Sequence, residues 1–254
     1  LAGARGDHVA ADWIVPLESD PDYAEIMVNP VVPPTFDRHF YGGDATSIAS
    51  IDAADIFDLD AVDNMRLTLD EMAYPLQPVR YAEDLQNEDN PFYVMLVTPR
   101  QWKDFMGSTT GADWRTLQAR ASERRADFKH RIFTSDAVMW NNILIKKQRR
   151  PIRFEIGTNV TVSTDTDNAG TTTSTAAHAV ERAVLLGAQA LATAFGSTHG
   201  RGSLPFSWHD EMTDHENVTE HSVAWINGKK KIRFQGTDGR VNDHGVMVLD
   251  TAVL

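Results

Sequence analysis

Cysteine is absent from the 254 residues. That excludes disulfides, zinc-thiolate sites, iron-sulfur clusters and cysteine nucleophiles, and it suits assembly in a reducing cytoplasm. No apolar run is long enough to cross a bilayer: the longest, AVLLGAQALATAFG within 183–196, is short and is interrupted by Gln189. The chain opens LAGARGDH, with neither a methionine nor an apolar core, which predicts a processed or incompletely represented start. Lysine is absent from residues 1–102, and Lys103 is the first. The motifs of common enzymes are also wanting. There is no HExxH, no GxSxG elbow and no P-loop, and GSTHGRG at 196–202 lacks both the lysine-serine end and the spacing of a dinucleotide fingerprint.

What is present is enough apolar material, 42% of the chain, for one large folded, soluble domain or two smaller ones. The net charge of −12 is unevenly spread. Residues 1–99 carry 4 basic and 19 acidic side chains, residues 100–153 carry 13 and 5, and residues 154–254 carry 7 and 12. A basic middle between acidic ends can meet copies of itself head to tail, because complementary charge sets orientation between subunits. The same distribution also describes the solvated faces of an ordinary domain. Arg120, Arg124, Arg125, Lys129 and Arg131 form a local patch able to touch phosphates, but the overall acidity argues against tight duplex binding.

Along the chain, Pro16, Pro21, Pro30, Pro33 and Pro34 predict an extended arm over 1–42 that finds order on another surface. From Ser50, a candidate cap, Ile56, Leu59, Val62, Met65, Leu69 and Met72 recur at helical spacing up to Pro75. At ~1.5 Å per residue this predicts a spine helix of roughly 30 Å or more. FYVMLV at 92–97 reads as a buried strand running into a helix, with Thr98 as N-cap, Pro99 at the first position and Gln101 as capping-box partner. A second helix is expected over 113–127. NNILI and IRF read as strands joined by the basic loop KKQRR, and 161–176 as a flexible polar loop. Val180, Val184, Ala188, Leu191 and Phe195 predict an alanine-rich helix over 176–195 ending at Gly196. Asn227-Gly228 predicts a two-residue hairpin turn, and 246–249 a final strand. Helices and strands mix without regular alternation, so the expected class is α+β.

The strongest cluster for chemistry is His209, Asp210, Glu211, Asp214, His215, Glu216 and His221. Imidazoles and carboxylates within reach of one another are metal-site material. A soluble metal-dependent hydrolase is therefore the alternative function, although six-residue histidine spacing puts no pair on one helical face and a polar surface loop explains the cluster as well. Asp165, Asp167 and Asn168 begin like a calcium loop, but Ala169 and Ala176 stand at liganding positions. No catalytic, cofactor or metal residue is assigned. A third possibility is an oligomeric binding protein with an acidic surface.

Five segments in order resemble one large family, the tailed-bacteriophage major capsid proteins of the podovirus type. YVMLVTPRQWKDF is similar to its strand and proline-arginine helix, and DWRTLQARA to its next helix. FTSDAVMWNNILI resembles a segment preceding an aromatic-asparagine pair, although Ser135 and Val138 stand where glycine is frequent. VERAVLLGAQALATAFG is similar to an alanine-rich helix, and KKKIRF with HGVMVLDTAV to the C-terminal strands. The resemblance implies the tailed-phage major capsid fold, shared with the floor of herpesvirus shells. Its parts would be an N-terminal arm and extended loop at 1–42, a peripheral domain with the spine helix at 43–90 and 206–254, and an axial domain at 91–205. It further implies a self-assembling icosahedral shell subunit, forming hexamers and pentamers around double-stranded DNA that it touches weakly and nonspecifically. Scaffold, portal and cement or decoration proteins are the implied partners, with no membrane, in a virion assembled in the host cytoplasm. Arg120, Arg124, Arg125, Arg131, Lys146, Lys147, Arg149 and Arg150 are the candidates for contact between subunits. Some capsids of this fold join subunits by a lysine-asparagine bond from the extended loop. With no lysine in 1–42, the expectation is a noncovalent shell or one held by a cementing partner.

Overall fold

The computed structural model describes residues 33–79, 92–108, 137–149, 152–164, 170–196 and 206–253, apart from 214, 216 and 226. The chain divides into two compact units, Leu1–Ala190 with Arg233–Leu254, and Leu191–Ile232.

In the first unit, β1 (His39–Tyr41) and α1 (Leu59–Glu71) precede β2 (Tyr93–Val97), which leads into α2 (Pro99–Ser108). There follow β3 (Ala137–Trp140), β4 (Ile143–Lys147), β5 (Ile152–Phe154), β6 (Asn159–Ser163), β7 (Thr171–Thr175) and β8 (Val180–Leu186). The second unit holds β9 (Leu191–Phe195), β10 (Phe206–Thr213), β11 (Val218–Trp225) and β12 (Asn227–Lys231). The chain then returns to the first with β13 (Arg233–Gln235), β14 (Val241–Asp243) and β15 (Val246–Ala252).

A seven-stranded mixed sheet in the order β1-β15-β8-β2-β4-β3 organises the first unit. β15 pairs antiparallel along the whole of β8 on one edge. The other edge of β8 is shared, with β2 opposite 184–186 and β5 opposite 180–182. The β2/β4 and β1/β15 pairs are parallel. One face is filled throughout, and the other is covered over β15 and the start of β8 while Val94, Leu96, Val184 and Leu186 are half-buried. Met95, Leu185, Ala183, Met247 and Leu249 meet Val62, Met65 and Leu69 of α1 and Phe105 of α2 in the main core. Smaller clusters gather around Ile48 with Val160 and Val162, and around Ile51 with Val180 and Ala252.

Capping at α2 follows the sequence. The Thr98 amide donates to Gln101 Oε1 at 3.1 Å, and the Gln101 amide donates to Thr98 Oγ1 at 3.2 Å. These bonds satisfy two otherwise orphaned donors. α1 begins later than the spacing predicts. Ser50 lies in a single 3-10 turn, and Asp52 and Asp55 draw nearby amides into turns, Ala54 N donating to Asp52 Oδ1 at 2.7 Å and Asp52 N to Asp55 Oδ2 at 2.8 Å. Short carboxylates compete with helix in this way, so Asp58 becomes the N-cap, accepting from Ala61 N at 2.8 Å.

Four further expectations are corrected. The alanine-rich segment is not a helix but β8 and β9, because β8 sits inside the sheet with no residue exposed and so loses the alternation that marks a half-buried strand. The polar segment expected to be a flexible loop forms the β6–β7 hairpin, with Thr161 opposite Thr173 across the ladder. Lys146 and Lys147 belong to β4 and not to a loop. Asn227-Gly228 makes no turn, since both residues lie in β12 and pair with Phe195 and Ala194 of β9. The two-residue turn is instead Asn141-Asn142 between β3 and β4, with φ of 46° and 61°. Asparagine tolerates that left-handed conformation, which matches the twist of the flanking strands. The helix expected over 113–127, residues 1–32 of the arm and the interrupted calcium-like run at 165–169 lie outside the described residues.

Candidate functional site

Strand register places a buried polar seam across β1, β15 and β8. Asp250 stands opposite both Tyr41 and Arg182. The Arg182 guanidinium donates to both carboxylate oxygens of Asp250 at 2.7 Å, and His39 Nε2 lies 2.7 Å from Oδ2. Burial raises the Asp250 pKa, but the charge and hydrogen bonds of Arg182, helped by His39, outweigh it and bring it down to about 2. Burial disfavours the charged Arg182, and Asp250 overcomes that, so its pKa moves up. Tyr41 Oη is 3.5 Å from His39 Nδ1, and burial with the nearby Asp250 charge pushes the phenol up to about 12 against the opposing pull of Arg182.

On the other face of β8 the seam continues to the start of α2. Thr98 Oγ1 donates to the Glu181 carboxylate, while Gln101 Nε2 donates to Glu181 O at 2.8 Å and to Thr251 Oγ1 at 2.9 Å. Every one of these groups is buried. The arrangement pairs a histidine with an aspartate, yet the hydroxyl facing that histidine is a phenol held neutral. It fastens strands to one another and offers no activated nucleophile.

A groove of about 570 Å³ opens beside β1, lined among others by Phe36, Arg38, Tyr41, Tyr74, Ser163 and Asn242. Several of its polar groups are tied to the fold. Arg38 donates to Met72 Sδ at 2.6 Å and to Tyr74 O, and Ser163 Oγ donates to Pro34 O at 2.5 Å.

The His209–His221 region is not a loop. His209 and Asp210 belong to β10 and His221 to β11, paired antiparallel. Asp210 faces His221, with Oδ1 2.6 Å from Nδ1, and Trp208 packs beside the imidazole at 5.6 Å between ring centroids. Among the described residues no three histidine or carboxylate groups converge on a point that could hold a metal ion, and Asp214 and Glu216 lie outside those residues.

Of the contact candidates, Lys146 and Lys147 are half-buried at the end of β4, and Arg149 is exposed just beyond it. Arg120, Arg124, Arg125, Arg131 and Arg150 lie outside the described residues. A surface not anticipated from the sequence is the unit 191–232. None of its residues whose burial is described is buried, and it displays Leu191, Phe195, Trp208, Met212 and Val218, each 46% exposed or more. The signal was the alternation within LATAF and WHDEM, masked because LATAF had been read as part of a helix. Among the described residues no helix is long and apolar enough to cross a membrane.

Residues 1–254 match the profile of a family described as phage capsid protein. No curated protein matches the chain. Among solved structures it is similar to the capsid of Ralstonia phage GP4, with a TM-score of 0.61 and 24% identity, covering 87% of this chain and 54% of that one. It is also similar to the head of Helicobacter pylori bacteriophage KHP40, with a TM-score of 0.50 and 15% identity over 83% of this chain and 61% of that one. The acidic stable capsid of H. pylori bacteriophage KHP30 gives 0.50 and 16% over 87% and 62%. The chain thus spans roughly half to three fifths of the solved capsid chains it matches.

Proposed function

The chain belongs to the phage capsid protein family and has the fold of tailed-phage capsids, and from that premise we propose that it is the major shell subunit, assembling with copies of itself into hexamers and pentamers around packaged double-stranded DNA. Its role is structural. The observation that carries the proposal is the whole-length family match, joined to a second unit that displays large apolar side chains and has no buried residue among those whose burial is described. Two-stranded ladders without a core are marginal alone and gain stability by packing on another surface.

The expected arm over 1–42 is shortened, since 33–42 are held in the first unit by β1 and by Thr35 on Asp243; on this proposal residues 1–32 lie across a neighbour. The basic side chains Arg120, Arg124, Arg125, Arg131, Lys146, Lys147, Arg149 and Arg150 meet acidic surface on adjacent copies. The net charge of −12 limits the grip on packaged DNA to weak, nonspecific contact. Scaffold, portal and cement proteins are the further partners, and assembly takes place in the host cytoplasm.

The test is to purify the chain, raise its concentration with and without a co-expressed scaffold, and follow light scattering and electron micrographs. Closed particles of uniform diameter are expected. A chain that stays monomeric throughout, while hydrolysing a substrate with a metal dependence lost in His209→Ala and His221→Ala, would replace the shell subunit with the hydrolase.

A further inference from the structure

The β9–β12 ladder is two-stranded, with Leu191 opposite Lys231, Thr193 opposite Lys229 and Phe195 opposite Asn227. Alternation puts the side chains of Leu191, Thr193, Phe195, Lys229 and Lys231 on one face. Leu191 and Phe195 are 57% and 58% exposed, and Lys229 is exposed between them in register. The face is therefore an apolar strip with a cationic flank, ~13 Å long at ~3.3 Å per residue.

Elsewhere in the chain one surface has the reverse character. α1 buries Val62, Met65 and Leu69, which leaves Asp60, Asn64, Leu67 and Glu71 at helical spacing on its outward side, all exposed. Leu67 is 55% exposed. The helix carries four acids, Asp60, Asp63, Asp70 and Glu71, against one base, Arg66. From Asp60 to Glu71 the stripe runs ~16 Å at ~1.5 Å per residue. Of the other large exposed apolar side chains of the first unit, Met106 follows Arg100 and Lys103 on α2 and Ile152 adjoins Arg153, while Phe36 and Ile156 each stand beside a single acid, Asp37 and Glu155, and not on a stripe of a helix.

We propose that the β9–β12 face of one copy seats on the outward stripe of α1 in a second copy, Phe195 closing over Leu67 and Lys229 meeting Glu71 one turn further along the helix. This rests on the shell-subunit proposal and adds which two surfaces join. Length and charge sign agree, each surface exposes a large apolar side chain, and one copy supplies both halves. Because its two halves are different surfaces, the contact can repeat from copy to copy and close into a ring when the rotation permits.

The absence of cysteine makes the test direct. L67C and F195C chains, purified separately, mixed, assembled and treated with a short bismaleimide, are expected to give a covalent dimer in the mixed particles. The dimer should be several-fold stronger than in particles of either variant alone and absent before assembly. In parallel, Lys229→Glu is expected to raise the threshold concentration for assembly about tenfold, and adding Glu71→Lys to the same chain to recover most of it, as a complementary charge pair requires. Normal particles with both thiols still open to alkylation and no mixed dimer would overturn the pairing and leave the shell subunit standing. The same holds if Glu71→Lys gives no recovery, or if Lys229→Glu abolishes only retention of DNA. Failure of the unaltered chain to form any oligomer, with or without scaffold, would overturn both.

Discussion

At Asp250 two opposing forces act on one carboxyl. Complete burial favours the neutral acid, and the Arg182 guanidinium, forked onto both oxygens, favours the anion and prevails, leaving the pKa at about 2 against an ordinary 3.8. A depressed carboxylate contributes stability that is fully present above its unfolded value and is lost as pH falls from there through the folded value. The window is therefore about pH 4 to 2, and the contribution is on the order of 2 kcal/mol. Denaturant unfolding followed across that window should show a falling midpoint. Asp250→Asn should be less stable by about 3–5 kcal/mol at neutral pH, because it strands the buried guanidinium, and its acid slope should be shallower. Tyr41 sets the alkaline limit. A pKa raised to about 12 contributes stability present below pH 10 and lost as pH rises towards 12, so phenolate absorbance should show one tyrosine titrating last, and Tyr41→Phe should remove that step. None of this seam was legible in the sequence. His39, Tyr41, Arg182 and Asp250 are joined only by the register of β1, β15 and β8, and no local spacing encodes a pairing between strands so far apart in the chain.

Among the elements, what the sequence revealed and what it hid divide along physical lines. Strand β2, the capping box of α2 and strand β15 depend on neighbours within a few positions, and they appear where TPRQ and VMVLD place them. Helix α1 was half legible: its buried stripe is the predicted one, but the aspartates before it form turns and shorten it. β8 misled because a strand exposed on neither face and a buried helix show the same unbroken apolarity, and alanine's helix preference is weak against a complete ladder on each edge. The end of that strand is fixed by close approach. A Cβ at Gly187 would come within 2.5 Å of Gln77 O, the carbonyl that accepts from Ala188 N at 2.7 Å. Gly187→Ala must push segment 76–77 away and disturb Leu76, which is fully buried. A loss of about 1–3 kcal/mol is expected, as for other overpacked sites. Thermal melting would check it, with Gly157→Ala, where a side chain meets no neighbour but φ is +79°, separating contact from backbone strain.

For the whole molecule the decisive quantity is the competition between net repulsion and local attraction. Each copy carries −12, so copies repel at long range. The contact proposed between the β9–β12 face and α1 is short-range, and its charges are partly shielded by apolar closure. Salt separates the two, because the screening length falls from about 30 Å at 0.01 M to about 8 Å at 0.15 M and about 3 Å at 1 M. Between the first two concentrations the repulsion between whole subunits fades while contacts at a few ångströms survive, and the threshold for assembly should drop. Towards 1 M the Lys229 contacts are screened as well, and the apolar strip alone holds the copies, so the threshold should rise again. Light scattering against subunit concentration at each salt should therefore trace a minimum at intermediate ionic strength. Lys229→Glu, which makes the chain more acidic and removes an attraction, should move that minimum to higher salt and make it shallower. A threshold that falls steadily up to 1 M would mean that apolar burial alone drives association and that charge plays no part in choosing the contact.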